Sequence, residues 1–232
     1  MGVRNLPVEW RLVLKALAAP PAAGTGLESK PQNEELAVTQ RDSESYRLWK
    51  EIGRCAGLVA LGVVLRWQFS TIPNFSPVAA LALYAGFVIS RRSLALLVPL
   101  ATMLITDMTL GGYDTRLMLV VYAMLAMPVA FGAILQRVAS RRGAMVTGSA
   151  SVAAALAGSV AFFVVTNFAC WLWSPWYEST LGGLAACYAA ALPFFRYTIA
   201  GDVGFTVLLF GVHAVAVAVA RRPVRTVANS AA

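Results

Sequence analysis

Residues 179–222 read STLGGLAACYAAALPFFRYTIAGDVGFTVLLFGVHAVAVAVARR, and the number of times this stretch crosses a membrane decides the fold. Roughly 20 predominantly apolar residues span the hydrocarbon core of a bilayer. Residues 197–220 meet that requirement as one span. Residues 179–195 are apolar as well, but they hold Gly182, Gly183, Pro193 and the pair Phe194-Phe195. Hydropathy alone therefore allows either one span or two.

Charge decides between them, because cytoplasmic loops collect Lys and Arg. Upstream, apolar runs at 52–69, 76–90, 94–110, 117–135 and 149–173 read as five spans. With the N-terminus in the cytoplasm and 179–195 kept as an outer re-entrant or surface segment, the total is six. Sixteen of the nineteen basic residues then lie inside, leaving Arg66, Arg116 and Arg196 elsewhere. A seventh span would carry Arg221, Arg222 and Arg225 outside, against the rule. The expected fold is an all-α integral membrane protein, a six-transmembrane-helix bundle over 51–221. Both termini are expected in the cytoplasm, with a short tail at 222–232.

Composition agrees: 59% of the residues are hydrophobic and 13% charged, about half the charge of a soluble domain. So little chain remains outside the spans that soluble-enzyme readings are excluded. The net charge of +8 would suggest nucleic acid in a soluble protein. Here it reads as loop asymmetry, and no nucleic-acid partner is expected. Cys55, Cys170 and Cys187 show no metal-ligand or disulfide spacing, so neither a metal nor another cofactor is expected. No signal peptide is expected either.

Residues 1–54 hold fifteen of the thirty charges. Residues 1–50 are read as a mostly disordered cytoplasmic tail, since from Pro20 to Arg47 too little is apolar to bury a core. At 7–18, around Trp10, Leu14 and Leu17, a surface amphipathic helix and a transient helix fit equally well.

The remaining charges gather towards one face: Arg66, Asp107, Asp114, Arg116, Glu178, Arg196 and Asp202. Ionisable groups within a span face a partner or a watery cavity, and an ion pair between Arg66 and Asp107 is the first expectation. Asn74, Asn167, Trp171, Trp173, Trp176, Tyr177, Tyr113 and Tyr197 fall at the same level. For Trp173, Trp176 and Tyr177 an interfacial aromatic belt is the expected reading. Asn167 needs a hydrogen-bond partner, from another helix or a ligand. Arg66, Asn74, Asp107, Asn167, Trp171, Arg196 and Asp202 are the candidate ligand-binding residues of an outward-facing pocket. Mutual neutralisation that merely holds the bundle together is the alternative. His213 sits too far from these groups for a catalytic role and reads as a helix hydrogen-bond partner. Gly53/Gly57 and Ala56/Ala60 on the first span, with Ala153/Ala157 on the fifth, permit close helix approach.

The stretches PNFSPVAALAL (73–83), ITD (105–107), TNF (166–168), PFFR (193–196) and Gly201-Asp202 resemble an uncharacterised family of bacterial six-span membrane proteins. That family is similar to the substrate-binding S components of energy-coupling factor (ECF) transporters. The resemblance covers about 52–220. It implies an S-component-like bundle in the bacterial inner membrane that captures a vitamin or metal at the outer face. It also implies docking on a transmembrane coupling subunit driven by ATPases, through an alanine pair that Ala56 and Ala60 match. No ATP-binding loop of the GxxxxGK[ST] type occurs in the chain, so energy would come from those partners.

The leading expectation is thus a small-molecule uptake component, with loop 70–75 and segment 179–195 covering the ligand. A structural or assembly protein of the envelope is the main alternative. An intramembrane enzyme is disfavoured by the single histidine and the lack of a GxSxG elbow, and a proton-coupled carrier by the lack of an inverted repeat.

Overall fold

The computed structural model describes residues 32–112, 114–142 and 144–221, which contain six α-helices and no strand. These are α1 (Gln32–Gln68), α2 (Val78–Val88), α3 (Arg92–Leu110), α4 (Thr115–Arg142), α5 (Ala144–Trp173) and α6 (Leu181–Ala220). The chain divides into two compact units, 1–45 and 46–232. The expected amphipathic helix at 7–18, Tyr113 and the tail at 222–232 lie outside the described residues.

In the first unit the chain is helical from Gln32, and Ser43 Oγ donates to the Gln40 carbonyl at 2.8 Å. This corrects the expectation of a disordered tail as far as residue 50. Between Gln32 and Ile52 there is neither Gly nor Pro, and Gln, Glu, Leu, Ala and Arg are good helix formers. A composition unable to bury a core can still be helical.

In the second unit α2 is the centre. Its sequence, VAALALYAGFV, is apolar all round, the mark of a helix enclosed on every side. Val78, Leu81, Leu83 and Ala85 are essentially inaccessible. Leu81 and Ala85 pack with Cys55, Val98 and Val129 from α1, α3 and α4. Leu83 meets Leu135, Ala155 and Phe210 from α4, α5 and α6. Two glycines set the closest crossing. A Cβ at Gly86 would lie 2.1 Å from the Val129 carbonyl, and one at Gly132 2.0 Å from the Leu83 carbonyl. The backbones of α2 and α4 thus touch, as small residues allow in membrane helices.

The α2–α3 turn is clamped by charged side chains. The Glu51 carboxylate accepts from the backbone N–H groups of Ser90 (3.0 Å) and Arg91 (3.3 Å), capping the start of α3 from a different helix. At the end of α2, Arg92 Nη1 donates to the Gly86 carbonyl at 2.9 Å and Arg54 Nη1 to the Val88 carbonyl at 3.1 Å.

Helices α5 and α6 run antiparallel: the Cys187 thiol reaches the Asn167 carbonyl (3.5 Å), while Asp202 reaches Ser159 (2.6 Å). Residues 179–195 therefore form no separate segment. They open α6, with Thr180 as N-cap accepting from Gly183 N–H at 3.1 Å. The chain makes no reversal between Leu181 and Ala220, which removes the seven-span alternative. Pro193 sits inside this helix. A proline costs a helix one N–H donor, and membrane helices absorb that loss.

Helices α3 to α6 are long and apolar enough to cross a membrane. They present Met108, Leu119, Val212 and Val215 to the outside, an exposed apolar area too large for a soluble monomer. These features are compatible with a membrane protein. At 11 residues α2 is only about 16 Å long, short of the roughly 30 Å core.

Candidate functional site

The shortness of α2 creates the site. Between Gln68 and Val78 the chain is irregular, held by isolated turns such as Ile72 N–H to Phe69 O (3.0 Å) and Phe75 N–H to Ile72 O (3.3 Å). Asn74 has φ 58, a left-handed conformation that Asn tolerates better than most residues. From the end of α1 this segment descends between the helices to reach the middle of α6. There a Cβ on Gly201 would lie 3.1 Å from both Ser76 N and Ser76 O. Phe69, Phe75 and Phe205 lock the descent as a ring triangle with centroids 5.1–5.8 Å apart.

Beside the segment, over the start of α2, lies a cavity of about 740 Å³, within the usual size of small-molecule sites. Its wall includes Arg66, Asn74, Asn167 and Asp202, brought together from α1, the descending segment, α5 and α6. Phe69, Phe75, Phe163 and Phe195 supply aromatic surface, with the last two rings 4.4 Å apart. Cys170 also lines it.

Arg66 is held by its neighbours. Its Nη2 lies 2.8 Å from Asp107 Oδ1, and its Nη1 donates to Thr106 Oγ1. Asp107 is buried behind it and accepts from Tyr122 OH at 2.8 Å, so it supports the cavity wall without lining it. The expected ion pair is present. The Asn167 amide N–H donates to the Phe163 carbonyl one turn back (2.7 Å), and the residue lines the cavity. Asp202, also buried, lies with Oδ2 2.6 Å from Ser159 Oγ.

Two candidates are not brought to the cavity. Trp171 Nε1 donates to the Glu178 carbonyl (2.9 Å), tying the end of α5 to the following loop. Arg196 is exposed and turns onto its neighbour, its Nη2 donating to Tyr197 OH at 2.8 Å. In the continuous α6, Ala191 and Phe195 form wall instead of cover. His213 stands away from the cavity, its Nδ1 3.0 Å from Tyr84 OH. Ala56 and Ala60 are exposed on α1, and added Cβ atoms at the adjacent Gly53 and Gly57 would meet nothing.

Sequence reasoning missed Tyr122, Ser159 and the phenylalanine triangle. Ser159 is hidden in a run of small residues, and Tyr122 reads as one more apolar position of a span. The Phe69–Phe75 pairing depends on the descent of the segment, which no periodicity announces.

Residues 47–225 match the model of a family described as "Family of unknown function (DUF6580)". No curated protein and no solved structure matches the chain.

Proposed function

The chain belongs to the DUF6580 family, whose function is unknown, so no activity is inherited, and we propose from the cavity itself that the protein is a membrane-embedded substrate-binding component for small-molecule uptake. One observation carries the reading: the irregular segment 69–77 runs beside a cavity in the middle of an apolar bundle. At membrane depth, non-helical backbone persists only where protein buries it or where it lines a water-filled space. On this reading the 69–77 segment with α2 makes one crossing, for six in total. The Lys and Arg excess at the α2–α3 turn and the ends of α4 and α6 supports a cytoplasmic side there, with the cavity on the outer face.

The architectural likeness of such six-span families to ECF S components supports the same reading, with a vitamin- or metal-like ligand. The bare small-residue face of α1 around Ala56 and Ala60 offers a docking place for a transmembrane coupling subunit and its ATPases. Equilibrium binding of a vitamin and metal panel to the purified full-length protein tests the proposal. Saturable binding of a panel member, weakened in Asn74→Ala and Asn167→Ala, is expected. No binding across the panel and no co-purifying ATPase would reject it.

The Arg66–Asp107–Tyr122 cluster, which joins α1, α3 and α4, favours a second reading, a structural or assembly protein of the envelope whose charges bind helices together. Under that reading Arg66 and Asp107 variants lose stability and leave uptake unchanged.

A further inference from the structure

If the cavity is a ligand site, as proposed above, its charge indicates the ligand class. Arg66 is neutralised by Asp107. Of the other wall groups, Cys170 from α5 and Asp202 from α6 can titrate, and α2, α4 and segment 69–77 contribute none. Tyr122 of α4, behind the wall, is hydrogen-bonded to Asp107. Asp202 is thus the unbalanced charge. It is 6% exposed, and among the described residues no Lys, Arg or His nitrogen lies within 4.0 Å of its carboxylate.

Ser159 indicates how such a group exists. Its Oγ lies 3.0 Å from the Ala155 carbonyl and 2.6 Å from Asp202 Oδ2. A hydroxyl has one proton to donate. Shared between both acceptors, that one proton makes two weak bonds; both contacts are full-strength hydrogen bonds when Asp202 carries a proton of its own and donates it to Ser159. When Asp202 is charged, Ser159 can turn its proton from Ala155 to the carboxylate. An isolated buried carboxylate takes up a proton unless a cation balances it. One turn further along α6, the buried Thr206 hydroxyl has no partner among the described residues.

We propose that the cavity binds small organic cations, with Asp202 as the counter-ion, and that Asp202 releases its proton as the cation enters. The O–H bond of the carboxylic acid breaks, the proton leaves to water, and the ligand's positive charge takes its place, so the charge of the site is unchanged. Phe69, Phe75, Phe163 and Phe195 suit this ligand, because ring faces attract cations.

The test is calorimetric titration of the full-length protein in nanodiscs with three cations (thiamine, choline, spermidine), neutral riboflavin and anionic pantothenate. Two buffers of different ionisation enthalpy report proton release. At least one cation should bind, releasing about one proton per ligand at a pH where Asp202 is protonated in the empty site. Asp202→Asn should weaken that binding about thirtyfold or more, the low end for truncating a buried charge pair. Ser159→Ala, which applies if Asp202→Asn does not fold, should weaken cation binding with the proton still released. Binding confined to riboflavin or pantothenate overturns this inference and leaves the uptake reading standing. So does cation binding indifferent to Asp202→Asn, or without proton release. No binding by any of the five compounds also overturns it, and the uptake reading is then decided by the wider vitamin and metal panel.

Discussion

Alanine at Gly86 or Gly132 should be among the most damaging single-methyl changes in the bundle. The new Cβ would sit 2.1 Å from the Val129 carbonyl in the first case and 2.0 Å from the Leu83 carbonyl in the second. Ordinary contact begins near 3.4 Å, so α2 and α4 must part by about 1.3 Å. The clashing atoms are backbone, which no rotamer change can move aside. Overpacking costs typically 1–3 kcal/mol, and this geometry places each variant near about 3 kcal/mol. For a chain of this size that corresponds to roughly 6–12 °C in Tm. The two glycines face the same crossing, so the separation that relieves one clash relieves the other. Gly86→Ala/Gly132→Ala should therefore cost less than the sum of the singles. Gly57→Ala, on the bare face of α1, is the control and should leave Tm unchanged. The assay is thermal unfolding in detergent, followed by loss of the monodisperse chromatographic peak. Gly86→Ala melting together with Gly57→Ala would refute the crossing.

Three further outcomes follow from the same geometry. Arg66→Ala leaves Asp107 buried without its cation and should cost about 3–5 kcal/mol; Arg66→Met/Asp107→Leu should recover most of it in the same assay. Glu51→Ala removes the acceptor that caps α3 and should cost about 1 kcal/mol, with Glu51→Gln intermediate by melting. Gly201→Val, pressing on Ser76 N and O from 3.1 Å, should displace segment 69–77. Ligand binding should weaken severalfold by titration, with little change in Tm.

The helices were legible in the sequence because membrane spans announce themselves by long apolar runs: each of the six expected spans falls on a helix, and four of those helices are long and apolar enough to cross a membrane. The tail and the 179–195 segment were misread for related reasons. Both readings took composition as a statement about secondary structure. Residues 39–46 sustain a helix while exposed, and Pro193 weakens α6 without ending it. Small residues misled in another way. The paired spacings on α1 at Gly53/Gly57 and Ala56/Ala60 face open space, whereas the glycines at the backbone-to-backbone crossing, Gly86 and Gly132, were not singled out.

Polar groups stand out in an apolar chain, and of those singled out Arg66, Asn74, Asn167 and Asp202 line the cavity, with Asp107 behind Arg66. Trp171 and Arg196 were chosen as an aromatic and a charge at the same level, and their hydrogen bonds run to Glu178 and Tyr197 instead. What a sequence cannot display is the descent of 69–77 beside α2, since it depends on where four other helices leave room.

The central claim is that this descent lines a watery cavity open to the outer side of the membrane, and Cys170 on its wall is a natural reporter. In the Cys55→Ser/Cys187→Ser background, a membrane-impermeant maleimide should label Cys170 in intact spheroplasts, and a bound ligand should protect it. Labelling only after the membrane is opened, or none at all, would contradict the account.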